Sequence, residues 1–279
     1  MKKATAIVLA VLLALFALAG CQSGGGEAEA AASNKLEEIV ASGTLVVGTD
    51  PAWAPFEYIG ADGEITGADY EIASDIAEAL GVELEMKNIA FDSLIPAMQS
   101  GEIDMILAAM TITDERLESV DFSEPYTQIQ QCIIVAEDSE VQYIDDLAGG
   151  AVGAHLGTTG DFLVSDEIES GVLAGTGASI NQYKYLTDAC LAILSGDLQA
   201  VVCDAPLAEN LCTVNEGLKF FPVVWADGTE TEIESFGIAM PKGETELVEK
   251  VNEIISPLIA DGTIDAYIVD HSEKASNLD

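Results

Sequence analysis

Apolar positions in this chain come in short continuous runs and in helical spacing, and the two alternate. Residues 45–48 form an apolar run that predicts a short strand ending in Gly48-Thr49-Asp50. Over 69–80 the apolar residues recur at helical spacing, and Gly81 marks the stop. Residues 82–88 alternate as a strand does, 93–99 predict a short helix, and 103–109 a second apolar strand. A comparable set follows. Residues 153–156 lead into Gly157-Thr158-Thr159, a helix over 187–194 leads into Ser195-Gly196, and a strand over 200–203 leads into Asp204. Residues 244–260 predict a late helix, and Gly262 opens the C-terminal segment. Strands alternating with helices predict an α/β architecture with parallel strands.

The two sets echo each other. Residues 93–110 align with 188–205 without a gap, each reading helix, Ser-Gly-acid, apolar strand: Ser100-Gly101-Glu102 against Ser195-Gly196-Asp197. Upstream, Gly48-Thr49-Asp50 echoes Gly157-Thr158-Thr159. Duplication of one unit accounts for this; chance agreement of two α/β units is the alternative. In open α/β sheets, ligands bind beyond the carboxyl ends of the strands. One half offers Asp50 and Thr111 with Arg116 there, and the other offers Thr158, Thr159 and Asp204. Two lobes facing each other across a cleft would bring these sets together.

Arg116 is the only arginine in the chain. Thr113 reads as a helix N-cap, with Asp114 and Glu115 in the first turn as the helix dipole prefers. That puts Arg116 near the third helical position, where the dipole disfavours a cation. Such a placement at the end of a buried strand points to an anion partner. A carboxylate fits best, because a guanidinium binds it through two parallel hydrogen bonds, with Thr111 and nearby backbone amides assisting. The plain alternative is a surface ion pair.

The N-terminus changes the setting. Met1-Lys2-Lys3, an apolar run over 4–17 and Leu18-Ala19-Gly20-Cys21 give a charged region, an apolar region and a small-residue cleavage site. Cysteine directly after Leu-Ala-Gly resembles the lipobox of bacterial lipoproteins, which implies a signal peptide over 1–20 and lipidation of Cys21. Residues 22–34, rich in Gly, Ala and Ser, predict a flexible tether. The formal net charge is −39, and removing 1–20 takes away two lysines and no acid. Such a charge repels nucleic acid and anionic lipid, so the anchor must be covalent. Roughly 245 residues remain after the tether, enough for two ordinary domains. Cys132, Cys190, Cys203 and Cys212 form neither a C-x-x-C pair nor a zinc spacing. Buried thiols are the default for Cys132 and Cys203, and a Cys203–Cys212 disulfide is compatible with an oxidising compartment. No cofactor or metal is expected.

One cation and one anion on facing lobes match the two charged ends of an α-amino acid. Asp204 ends an apolar strand, where an unpaired carboxylate is costly and an ammonium would satisfy it; a cap for the following helix is the alternative. Gly157, Thr158 and Thr159 could place N–H groups and hydroxyls at the ligand carboxylate. Asp50 would face the ligand side chain, with Trp53 and Phe91 as aromatic walls or, alternatively, as core. Together they suggest a slot for a flat or long side chain ending in a donor or cation. His155 is either a rim contact or a packed neutral histidine. Without a second arginine, aspartate and glutamate are poor ligands.

These residues carry a family resemblance. Gly48-Thr49-Asp50-Pro51-Ala52-Trp53-Ala54-Pro55-Phe56-Glu57-Tyr58 resembles the opening motif of the polar amino-acid-binding proteins of ABC importers, the extracellular solute-binding proteins of family 3. Asp92-Ser93-Leu94-Ile95-Pro96-Ala97, Thr111-Ile112-Thr113-Asp114-Glu115-Arg116, Asp121-Phe122-Ser123-Glu124-Pro125-Tyr126 and Leu156-Gly157-Thr158-Thr159-Gly160 do so as well, in order over roughly 36–270. The resemblance implies a two-lobed fold of the type II periplasmic-binding-protein kind, with mixed sheets flanked by helices and two hinge strands near 126–129 and 235–237. Lobe 1 would span 36–127 plus 235–279, and lobe 2 would span 128–234. It further implies that Arg116 holds the ligand carboxylate beside Thr111 and Thr159, and that Asp204 takes the ammonium, with help from the Ala109 carbonyl. Asp50 would read the side chain of a basic or amide ligand packed on Trp53 and Phe91.

The chain departs from the family pattern at Ala108-Ala109, where serine or glycine is frequent, at Ala68, where a larger side chain is usual, and at His155, where glutamine is common. The expected protein is a monomeric receptor, lipid-anchored outside the cytoplasm, that hands an amino acid to an ABC permease. The alternatives are a periplasmic dehydratase on the same fold, which would need a general acid and more than one cationic contact, and a stand-alone amino-acid sensor.

Overall fold

The computed structural model describes residues 34–278. The expected signal peptide, Cys21 and nearly all of the tether lie outside the described residues. The chain enters through helix α1 (Lys35–Ser42), capped by the Asn34 side chain, which accepts from the Glu37 N–H. It continues through β1 (Thr44–Thr49), a small sheet of β2 (Ala52–Trp53), β3 (Glu57–Ile59) and β4 (Ile65–Thr66), then α2 (Ala68–Leu80), β5 (Glu83–Asn88), α3 (Leu94–Gln99), β6 (Met105–Ile106), α4 (Asp114–Ser119) and β7 (Val120–Phe122). After the strand β8 (Thr127–Ile129), a second body follows: β9 (Gln131–Ala136), β10 (Ala151–His155), α5 (Thr159–Glu169), β11 (Ser179–Tyr183), α6 (Leu186–Ser195), β12 (Ala200–Asp204), α7 (Ala205–Val214) and β13 (Leu218–Pro222). The chain returns through β14 (Glu234–Phe236) to β15 (Ala239–Pro241), α8 (Thr245–Ala260) and α9 (Thr263–Ala275).

Two five-stranded sheets result, β5-β1-β6-β15-β7 and β11-β10-β12-β9-β13. In each, four strands run the same way and one, β15 in the first sheet and β9 in the second, runs against them. The sheets are therefore mixed, as the family resemblance implies, and not purely parallel as the strand–helix alternation suggests. The antiparallel strands are the ones joined to the crossings. Those crossings pair with each other, β8 against β14, with Phe236 opposite Thr127 and Glu234 opposite Ile129.

The sequence echo has a structural counterpart. The unit α3–β6 supplies the central strand of the first sheet, paired with β1, and α6–β12 supplies the central strand of the second, paired with β10. Both units end at the same edge of their sheets. The observed β6 is shorter than the run over 103–109 suggests. Asp104 and Leu107 still donate to the carbonyls of Val46 and Gly48, but Ala109 turns left-handed at φ 46° and gives its N–H to the Asp69 carboxylate instead of the ladder.

The start of α2 depends on a close backbone approach. Gly67 has φ +134°, and Ala68 and Asp69 donate to the carbonyls of Pro55 and Phe56. A Cβ at Gly67 would sit 2.0 Å from the Phe56 oxygen. This tether sets Asp69 beneath Ala109. At the far end of the lobe, α9 is tied back through buried His271, whose Nδ1 lies 2.9 Å from the Tyr58 hydroxyl and whose Nε2 lies 3.3 Å from Glu71. All four described cysteines are free, and Cys203 faces Cys132 across the β12–β9 ladder. The Cys203–Cys212 disulfide entertained from sequence is thus not formed. Burial pushes the thiols up, Cys132 and Cys190 to about 12.

Because both the backbone angle and the packing exclude a side chain, Gly67→Ala should destabilise the fold by about 2 kcal/mol or more. At this chain length that lowers Tm by roughly 4–8 °C. A melting curve superimposable on wild type would show that the approach is not needed.

Candidate functional site

The carboxyl ends of the parallel strands from both sheets meet. From β1, Asp50 is buried and its Oδ2 accepts from the Phe91 N–H at 2.9 Å. The same oxygen lies 3.4 Å from Nε2 of His155, the last residue of β10. Trp53 stands edge-on to the His155 ring at 5.4 Å, and Phe91 stands edge-on to it at 6.2 Å. His155 is thus packed between the two aromatic residues, with its Nδ1 lacking a hydrogen-bond partner.

Asp204 ends β12 and precedes α7. It takes the N-cap position, but its side chain makes no capping bond. Instead Oδ2 accepts from Trp53 Nε1 at 2.8 Å, across the lobes, and Oδ1 accepts from Gln131 Nε2 at 2.6 Å. Trp53 is therefore a donor to the acid as well as an aromatic wall. Burial pushes the Asp204 carboxyl up to about 7, the charge of Glu234 adding to the rise, while Trp53, Gln131 and Arg116 oppose it.

Arg116 lies at the third position of α4, whose cap is the Thr113 hydroxyl, accepting from the Arg116 N–H at 3.2 Å. Its side chain is 7% exposed. One guanidinium nitrogen donates to the Thr111 carbonyl at 2.7 Å within its own lobe, and another donates to the Gly157 carbonyl of the second lobe at 3.1 Å. The Phe91 ring covers it at 5.3 Å. No carboxylate among the described residues forms an ion pair with it. Burial lowers its pKa to about 10, against the pull of Asp204, Glu234 and Glu115, so it stays charged at neutral pH. The surface-ion-pair alternative therefore does not describe this residue.

The two threonines differ in role. Thr158 caps α5: its hydroxyl donates to the His155 carbonyl at 2.8 Å and accepts from the Asp161 N–H. Gly157 gives its own N–H to the Asp161 carboxylate at 2.9 Å. Neither Gly157 nor Thr158 thus offers the free donor expected from sequence; local capping uses them. Thr159 keeps its hydroxyl for the cleft, where it donates to Glu234 at 2.7 Å and accepts from Gln131 at 3.0 Å. Thr111 donates to the same Glu234 oxygen at 3.1 Å. Gly160 permits this, because a Cβ there would lie 3.0 Å from the Val202 carbonyl and 3.1 Å from Gln131 Oε1. Openings of about 260 Å³ beside Phe91, Arg116 and Gly157, and of about 680 Å³ beside Thr111, Thr159 and Glu234, flank the site.

Sequence reasoning missed Gln131 and Glu234, and it missed the group behind Ala109. There, buried Asp69 accepts from the Ala109 N–H at 2.8 Å and from the hinge-side Tyr126 hydroxyl at 3.0 Å. Burial raises Asp69 to about 6, against its hydrogen bonds, and burial with the adjoining Asp69 charge raises Glu57 well above the carboxylate range. A fully buried glutamine opening the otherwise apolar strand over 131–136 is the signal that could have found Gln131. Among the described residues, no His, Cys, Asp and Glu cluster could hold a metal ion.

Comparison with known proteins bears on this geometry. Residues 45–271 match the family model for bacterial extracellular solute-binding proteins, family 3. The chain belongs to this family. Within the solute-binding proteins, it is 31% identical to a probable histidine-binding protein of Neisseria gonorrhoeae, covering 96% of this chain and 95% of that protein. It superposes with a TM-score of 0.79 on an L-arginine-bound amino acid ABC transporter substrate-binding protein from Streptococcus pneumoniae. That pair is 31% identical over 86% of this chain and 99% of the other. It also superposes, at TM-score 0.74 and 32% identity over 84% and 98% of the two chains, on an ancestral amino-acid-binding protein that is a precursor of cyclohexadienyl dehydratase. These solved relatives share the two-lobed architecture.

The raised Asp204 has a measurable consequence. Its pKa is near 3.8 when free and about 7 in the fold, so the native state holds a proton that the unfolded chain releases. The stability this proton contributes is present below about pH 4 and is lost as pH rises toward 7. The urea midpoint should fall between pH 5 and pH 7.5, and Asp204→Asn should fall less. Equal slopes for the two proteins would show that Asp204 is not perturbed.

Proposed function

We propose that this chain is the extracytoplasmic receptor of an ABC importer. It closes its two lobes on a polar L-amino acid with a basic or amide side chain and delivers it, as a monomer, to the permease. The observation that carries this is Arg116: a buried guanidinium held between the lobes by carbonyls alone, with an acid network facing it. A desolvated cation without an anion gains most from a ligand carboxylate. Asp204 supplies the complementary anion for the α-ammonium, with the Ala109 carbonyl assisting. Asp50, between Phe91 and His155, supports selection of a cationic or amide side chain. Closure follows because the ligand contacts both lobes at once, and only such differential contacts shift a two-state population.

The names of the relatives support the ligand class, since L-arginine, histidine and glutamine recur among them. A dehydratase acting on a diacid fits the charge less well: Arg116 is the only arginine, and the other charged groups at its side are acids. Anchoring belongs to the same proposal. Residues 1–20 act as a lipoprotein signal and Cys21 carries the lipid, holding the receptor outside the cytoplasm.

Arg116→Ala should weaken amino-acid binding at least about a hundredfold by calorimetry, and Asp204→Ala by a comparable factor, since each leaves an opposite charge unmatched. Near-native affinity in either variant would remove the assigned pair. Asp50→Ala should weaken L-arginine and L-lysine more than L-glutamine; equal loss across the three would remove it as the selectivity residue. Cys21→Ser should release the protein from the membrane fraction into the soluble extracytoplasmic fraction, and retention on the membrane would refute the lipid anchor.

A further inference from the structure

Glu234 opens the return strand β14 and reaches from the hinge into the cleft. Its Oε2 accepts from Thr111 Oγ1 of one lobe at 3.1 Å and from Thr159 Oγ1 of the other at 2.7 Å, with Gln131 Nε2 at 3.4 Å. One carboxylate oxygen thus gathers donors from both jaws beside a buried guanidinium. That is the set of partners the amino-acid reading assigns to a ligand's α-carboxylate. A threonine hydroxyl has one hydrogen to donate, so each of these two serves either Glu234 or the ligand, not both.

We propose that Glu234 is an internal competitor for the carboxylate subsite: it holds the Thr111–Thr159 position that a ligand carboxylate must take over, and so it sets both affinity and the preference for carboxylate-bearing ligands. This rests on the reading of the cleft as an amino-acid site. A contact made before binding and given up on binding lowers affinity by the factor it had stabilised the receptor. An amine that lacks the carboxylate asks for no exchange. It leaves Glu234 on the two hydroxyls and gains a third nearby acid, with Asp50 and Asp204, to attract its charge. Removing Glu234 therefore acts with opposite sign on an amino acid and on its decarboxylated form, which a merely structural role would not do.

The test is calorimetry on the mature receptor, wild type and Glu234→Ala, with two ligand pairs: L-arginine with agmatine, and L-histidine with histamine. Glu234→Gln, which keeps the shape and removes the charge, is the second variant. Glu234→Ala should bind the amino acid of the recognised pair about tenfold tighter, as expected when one charge-assisted contact no longer competes. Its preference for the amino acid over the amine should rise by more than that, and Glu234→Gln should move in the same direction by less. Unchanged or weaker amino-acid binding in a Glu234→Ala protein of native circular dichroism overturns the competitor role. Wild-type protein that binds neither L-arginine nor L-histidine overturns instead the basic-ligand reading on which the inference rests.

Discussion

The arrangement turns on a cation that has been taken out of water. Arg116 sits in the first turn of a helix, against the dipole, buried, and its two carbonyl partners belong to different lobes. With the cleft shut, these two carbonyls replace part of the hydration the guanidinium has lost, and the remainder of that cost is left unmatched by any anion of the described residues. The elements next to it serve this placement. Thr113 caps the helix, Phe91 covers the guanidinium plane, and Thr111 presents its carbonyl because the chain has left β6 through the left-handed Ala109. Asp69 holds Ala109 in that conformation, and Gly67 holds Asp69.

Opposite the cation the cleft gathers acids, and their donors explain how they coexist. Asp204 is held by Trp53 and Gln131, Asp50 by the Phe91 N–H, Glu234 by two hydroxyls and the same glutamine. Gln131 bonds Asp204, Thr159 and Glu234 with a single nitrogen. It is therefore the joint between Asp204 and the Thr159–Glu234 pair. Burial, with the nearby charge of Glu234 adding to it, raises Asp204 to about 7.

Much of this was legible along the chain, and what was not has common physical causes. Arg116 could be found because a single arginine at the third position of a capped helix conflicts with local electrostatics, and such conflicts mark sites. Asp204 could be found because a carboxylate ends an apolar strand. Glu234 gave no such signal: in a chain of 49 acids, one more beside a hinge reads as solvated surface, and its partners lie 75 and 123 residues away. Gln131 likewise bonds across 28 and 73 residues. Thr158 and Gly157 were assigned to the ligand because their motif suggests anion binding, yet the capping bonds that build the loop consume their hydroxyl and N–H. Local chemistry took precedence there, and only the neighbouring Thr159 remained for the cleft. The extent of β6 was overestimated for a related reason, since an apolar run cannot report the backbone turn at Ala109.

The shared strand order also explains why Arg116 and Asp204 come from corresponding places in the two lobes. The two sheets share a strand order, and in each the central strand, β6 or β12, runs to the same edge. What differs is the connection beyond that edge. After β12 the chain turns straight into α7, which puts Asp204 at a helix start where N–H groups and a positive dipole end favour an acid. After β6 the left-handed step at Ala109 and a short extended segment intervene, so the next helix begins later and brings Arg116 round on its first turn. The left-handed turn beyond β6 makes two similar strand ends differ, so a guanidinium follows one of them and a carboxylate the other.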